Sequence, residues 1–276
     1  MKKSVLLLIA FLGLLTFSAC TSGAPTSSSS SSSDSSSTSA VSSSQNASST
    51  PSSSQSSAVS ADRILQKLIT LTNARSAGDN KNYYWENGKA RLTGFEALKA
   101  GSFLFQQDAQ GRSGVARAIL TYSEFEASKG ARQGTPLNPP HWPKNKMTTI
   151  HFALTGKSYH GYLYNRSHSI ADSLLGSKSY TSAYNFTTGT RSQNVGANQN
   201  GGMRAAEELA ENYWKSNPNS NATISYETTP LYSGSETIPR GSIVDEKSSD
   251  GALNSEIVVI NDAEGISIDY TAGTFH

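Results

Sequence analysis

Five histidines are available for proton transfer, His141, His151, His160, His168 and His276, and only their surroundings separate them. His168 closes the run Tyr164-Asn165-Arg166-Ser167-His168, where a strand-like stretch enters a polar loop beside an arginine. An imidazole titrates near neutrality and can take a proton from water at pH 7, while a neighbouring guanidinium offers forked donors to an oxyanion. Seventeen residues on begins Asn185-Phe186-Thr187-Thr188-Gly189-Thr190-Arg191-Ser192-Gln193-Asn194, whose two asparagines are nine residues apart. Gly201-Gly202-Met203 then opens a strongly helical segment. The other four histidines read as structural or surface groups.

These groups need a scaffold. Met203 to Trp214 is the clearest helix, ended by Ser216-Asn217-Pro218. Ser60-Ala61-Asp62 ahead of Ile64, Leu65, Leu68 and Leu71 predicts a second helix with its N-cap there. Tyr84 to Ala90 reads as a hairpin turning at Asn87-Gly88. Strands are predicted over 116–122, 147–154 and 158–165 before the strong helix, and over 222–232, 241–246, 255–261 and 265–270 after it. Strands flank one strong helix without regular βαβ alternation, which is an α+β pattern. No internal repeat, P-loop, dinucleotide fingerprint or HExxH helix is present.

The ordered set of Arg166-x-His168, Asn185-x8-Asn194 and the helix that follows resembles the ββα-metal superfamily of DNA/RNA non-specific endonucleases. The likeness is greatest to extracellular DNases and DNA-entry nucleases of Gram-positive bacteria. It runs over about 110–276 and takes in Arg132, the turn at Pro140 and Trp142, and Lys247-Ser248-Ser249-Asp250-Gly251. It implies a ββα-metal nuclease core with a mainly antiparallel sheet and flanking helices. By the same resemblance His168 is the general base, Asn194 ligates one divalent metal, and Arg166 and Arg132 clamp the phosphate. Asn185 is expected to support the metal loop, and Glu207, in the first turns of the helix, to contact metal-bound water. Two positions depart from the family pattern: Asn165 stands where the motif has Asp, and Ser167 where it has Gly. The expected cofactor is Mg²⁺, with Mn²⁺ able to substitute, because a hard cation that keeps its waters needs few protein oxygens. The implied reaction is hydrolysis of phosphodiester bonds in DNA, with RNA left open as a second substrate. Sequence preference should be low, since nothing resembles a base-reading helix or finger.

Composition bounds the rest. The chain has 276 residues, 36% hydrophobic and 16% charged, with a mean hydropathy of −0.43. Its single cysteine, Cys20, excludes a disulfide framework within one chain and a Cys-rich zinc site. Lys2 and Lys3 precede an apolar run from Val5 to Leu15 and then Phe17-Ser18-Ala19-Cys20, so residues 1–20 read as an export signal. The segment resembles a lipoprotein signal in which Cys20 is acylated, with Phe17 where the motif usually has Leu. Residues 21–60 contain 23 serines and almost nothing apolar, and read as a disordered tether spanning about 35 Å root-mean-square. Residues 61–276 are then expected to form the nuclease domain, outside the cell and either held at the surface by the lipid or secreted, with no protein partner expected.

Charge is split along the domain. Residues 61–200 hold 17 Lys and Arg against 8 Asp and Glu, whereas residues 201–276 hold 4 against 12. The basic part suits a polyanion. The alternative to an enzyme is a non-catalytic nucleic-acid-binding surface lipoprotein or adhesin using that same basic face.

Overall fold

The computed structural model describes residues 53–276, with side chains from residue 58 onward. The export signal, Cys20 and the serine-rich stretch up to residue 52 lie outside the described residues. In chain order the elements are α1 (Ser53–Asn73), β1 (Tyr84–Gly88), β2 (Phe103–Gln107), β3 (Ser113–Thr121), α2 (Tyr122–Ser128), β4 (Met147–Phe152), β5 (Lys157–Tyr162) and β6 (Tyr164–His168). They continue with α3 (Asp172–Leu175), two 3₁₀ turns, β7 (Phe186–Thr190), α4 (Arg191–Val195), α5 (Met203–Ser216), β8 (Thr223–Leu231), β9 (Gly241–Ser248) and β10 (Asn254–Ile260). Among the described residues no helix is long and apolar enough to cross a membrane.

Ile257-Val258-Val259-Ile260 is apolar without alternation, the pattern of a strand covered on both faces. β10 lies second in a six-stranded antiparallel sheet of order β1-β10-β9-β8-β3-β2. Ile257 and Val259 join Leu120, Ile224 and Val244 beneath the Met203, Ala206, Ala210 and Trp214 stripe of α5. Val258 and Ile260 face the opposite way, toward Ile64 and Leu68 of α1 and Ile150 and Phe152 of β4. The helical stripe recurs every three or four residues, so α5 buries one face against the sheet. Trp214 is wholly enclosed, and its truncation to Ala would cost about 3–5 kcal/mol. Two short ribbons stand beside this sheet, β4 with β5 and β6 with β7.

Several boundaries differ from the sequence reading. Asn87-Gly88 does not turn a hairpin: β1 pairs with β10, Tyr84 opposite Val259, and ends in a bulge at Gly88. Tertiary bonds override the local turn signal, because Asn87 donates to Glu256 and Arg91 then pairs with the same carboxylate. The single strand expected over 158–165 is two strands, since Leu163 leaves the β4 ribbon and accepts from Arg191 N, after which the chain pairs with β7. Residues 265–270 form no strand and keep only an isolated bridge between Ile268 and Phe275. Ser60 is not an N-cap: α1 begins at Ser53, inside the stretch read as tether, and the Ser60 hydroxyl accepts from Arg91.

Candidate active site

The antiparallel pair β6 and β7, joined by a connection that holds α3 and the two 3₁₀ turns, runs directly into α4. Tyr164 lies opposite Thr190 and His168 opposite Phe186. Thr190 caps α4, its hydroxyl accepting from Gln193 N at 3.0 Å, while its own N–H donates to Asn261 Oδ1 at 2.8 Å. Asn261, fully buried, also donates through Nδ2 to Thr188 O and Pro239 O, at 2.9 and 2.8 Å. The helix start is therefore pinned to the chain that leaves β10. Close approach sets its tilt. A Cβ on Gly189 would strike the Gln193 amide, so only glycine lets α4 lie back on the β6–β7 pair. Gly202, at φ +58, is likewise pressed on the Gln193 carbonyl where α5 begins.

A cavity of about 390 Å³ opens between this unit and β5. Arg132, Arg166 and Arg191 line it together with the carboxamides of Asn165 and Asn194, and no carboxylate does. Two of the arginines are held in place. Arg166 donates from Nε to Asn138 Oδ1 at 2.6 Å and stacks over Trp142, its carbon 5.0 Å from the ring centre. Arg191 lies 5.3 Å over the Tyr159 ring and donates to Gln199 at 2.5 Å. Arg132 is freer, 61% exposed and 4.0 Å from Asp172. Three guanidiniums without a countercharge in the wall make the cavity a receptor for an anion with planar oxygen pairs.

His168 does not line that cavity. It lies two residues beyond Arg166 on the same face of β6, about 7 Å further along the strand. Its ring packs against Phe186 at 4.4 Å and edge-on to Tyr180 at 5.2 Å, and Nε2 is buried without a partner. Burial in this aromatic setting pushes the imidazole down to about 4; the Asp172 carboxylate opposes the shift and the Arg132 charge adds to it. The ring is thus neutral at pH 7. Arg132 links the two regions, lining the cavity and acting on His168.

Asn185 is wholly buried, and its carboxamide is taken up by backbone: Oδ1 accepts from Ile170 N, and Nδ2 donates to Ile170 O and Ser179 O, each at 2.9 Å. It clamps the chain just after His168. Glu207 stays on the sheet side of α5, bonded to Arg204 at 3.1 Å, its side chain 17% exposed. Burial raises its carboxyl to about 7 against the pull of Arg204, with Glu211 and Asp172 adding to the rise. Of the residues singled out from sequence, Arg132, Arg166 and Asn194 share the cavity, while His168, Asn185 and Glu207 do not line it. The sequence reading missed Arg191, although it lies within the asparagine run, and also Asn145, whose carboxamide holds both backbone groups of Tyr164.

The donor chemistry bears on a metal. Among the described residues no group of three His, Cys, Asp or Glu could hold an ion. The cavity's oxygens are neutral amides, too weak to retain a stripped cation, and they fit a hard ion that keeps most of its waters. Asn194 and Asn165 are the residues that would hold it.

The model that matches residues 104–250 describes the DNA/RNA non-specific endonucleases. The chain belongs to that family. A deoxyribonuclease of Streptococcus dysgalactiae subsp. equisimilis is 37% identical over 129 residues, which is 47% of this chain and 38% of that protein. The chain thus spans well under half of that curated relative. The structure of Sda1 nuclease with bound zinc superposes with a TM-score of 0.64 at 29% identity, over 73% of this chain and 98% of that one. NucA from Streptococcus agalactiae with magnesium bound gives 0.56 at 22% identity, over 71% and 87%, a likeness of fold. This endonuclease-family domain shares with them its α+β architecture and mainly antiparallel sheet.

Proposed function

We propose that this domain is a metal-dependent endonuclease that hydrolyses phosphodiester bonds in DNA and in RNA. One observation carries the reading: β6 bears cavity-lining Arg166 and, on the same face, a neutral imidazole, while the helix after β7 bears Asn194. Arg166 and Arg191 bind and orient the phosphate, held by Trp142 and Tyr159, and the more exposed Arg132 adds a third guanidinium. His168 accepts a proton from the attacking water, whose oxygen bonds to phosphorus. The bond from phosphorus to the 3′ oxygen breaks, that oxygen takes a proton from solvent, and a 5′-phosphate remains. Mg²⁺, or Mn²⁺ in its place, supplies positive charge against the crowded phosphate and the departing oxygen when bound at Asn194. Asn185 fixes the chain behind His168, and Glu207 steadies α5 through Arg204. The protein acts outside the membrane, exported by residues 1–20 and anchored at Cys20.

Supercoiled plasmid tests this directly. Wild-type chain with Mg²⁺ should nick and linearise it, chelator should stop the reaction, and His168→Ala should slow it by at least about a hundredfold. Intact plasmid under every metal would leave a nucleic-acid-binding protein instead. For the anchor, Cys20→Ala should release the protein from the membrane fraction and abolish fatty-acid labelling.

A further inference from the structure

The charge imbalance is concentrated. Between Glu126 and Asp172 the chain has no carboxylate over 45 residues, yet it carries six Lys or Arg and four His. The β4–β5 ribbon lies inside this stretch, and one face of it is open. Met147 opposite Tyr162, Thr149 opposite His160 and His151 opposite Ser158 are the successive pairs on that face, and all six residues are exposed. The opposite face seats Ile150 and Phe152 in the core. At one end the face is continuous with the candidate active site, because Tyr162 lines the cavity of Arg166 and Asn194. At the other end Glu264 accepts from Ala153 N and places a carboxylate at the turn.

Both histidines on this face are oriented. His160 Nδ1 bonds Thr149 Oγ1 at 2.9 Å, and His151 Nδ1 bonds Ser158 Oγ at 2.7 Å. In the tautomer in which each hydroxyl donates to Nδ1, the ring proton is on Nε2, which can then donate to a phosphate oxygen. Tyr162 and Met147 are each 56% exposed and form an apolar shelf next to the cavity. An aromatic platform followed by evenly spaced donors is the pattern that carries a single strand, because every unstacked base has a face to stack while the donors follow the backbone. Six residues of strand cover about 20 Å, enough for a few nucleotides.

We propose that the open face of the β4–β5 ribbon is a subsite for a single strand of nucleic acid leaving the cavity, with a base stacked on Tyr162 and later phosphates bonded by His160 and His151. Glu264 ends the track by repulsion. The proposal rests on the nuclease reading for the position of the scissile phosphate, and the test keeps the two apart. In the full chain carrying His168→Ala, with Mg²⁺, single-stranded oligonucleotides bearing 5-iodouracil should crosslink on irradiation to the peptide containing Tyr162. Crosslinks elsewhere only, or none, overturn the track whether or not wild-type chain cuts plasmid; an uncut plasmid with a Tyr162 crosslink overturns the nuclease reading alone. Kinetics give the second arm. For wild-type chain KM should fall as single strands lengthen from two to about ten nucleotides. Tyr162→Ala should raise KM for the longer strand about tenfold, the size of one lost stacking contact, and Tyr162→Phe should restore it. The double variant His151→Ala/His160→Ala should flatten the length dependence. An unchanged length dependence in both variants, or a Phe variant as poor as Ala, refutes the assignment.

Discussion

His168 is held near 4 by burial against Phe186 and Tyr180, with Asp172 opposing and Arg132 assisting, and this has a kinetic signature. A general base works deprotonated, so lowering its pKa extends activity into acid. On plasmid, kcat/KM should stay level from neutrality downward and fall only as pH passes about 4, with circular dichroism confirming that the fold persists. An acid limb centred near the ordinary value of about 6.5 would mean that the base is another group. Asn194→Ala should raise the Mg²⁺ concentration for half-maximal rate about tenfold or more, with rate recovering at excess metal, as a metal titration would show. These residues could be singled out from sequence because β6, β7 and α4 carry them in one stretch with fixed spacing. Arg191 lies in that stretch without a local signal of its own, since its placement depends on Tyr159 from another ribbon. Asn261 had no local signal at all, being 71 residues from the amide it holds.

Among the elements, α4 is too short to be stable alone, and its position comes from what grips it. Asn261→Ala would leave Thr190 N, Thr188 O and Pro239 O buried without partners, at about 1–3 kcal/mol for each lost bond. Urea unfolding should show a loss of at least about 2 kcal/mol. Folded Asn261→Ala protein should also need more Mg²⁺, because Asn194 rides on the same helix. The long periodic segments were readable for a simpler reason: α5 and β10 bury so much apolar surface that local pattern and tertiary demand agree. Asn87-Gly88 was misread because a dipeptide's turn preference is worth less than the Glu256 carboxylate and Arg91 pairing that draw β1 along the sheet.

For the molecule as a whole, the acidic C-terminal part is largely interior. Asp262 is wholly enclosed, and burial pushes it up to about 8, with Ala263 N–H and Arg240 opposing and Glu264 adding. Glu246, equally enclosed, is raised well above the usual range by burial and by Glu207 and Asp245. The folded state keeps protons that the unfolded chain releases near 4, so this contribution is complete below pH 4 and is lost as pH rises through about 8. Asp262→Asn removes the titration. Thermal unfolding of the variant should vary less between pH 5 and 9 than that of wild type, with the largest gain at the alkaline end, on the order of a few kcal/mol. The basic half faces outward, so apparent affinity for DNA should drop steeply as salt rises from 50 to 200 mM. The brace formed by Asn261 lies past residue 250, where the family match stops, and the edge strand β1 lies before residue 104, where it starts. Anyone excising the homologous stretch for expression would discard both the outermost rung of the sheet and the peg that seats α4. The smallest piece able to cut DNA must therefore be longer at each end than kinship alone would suggest.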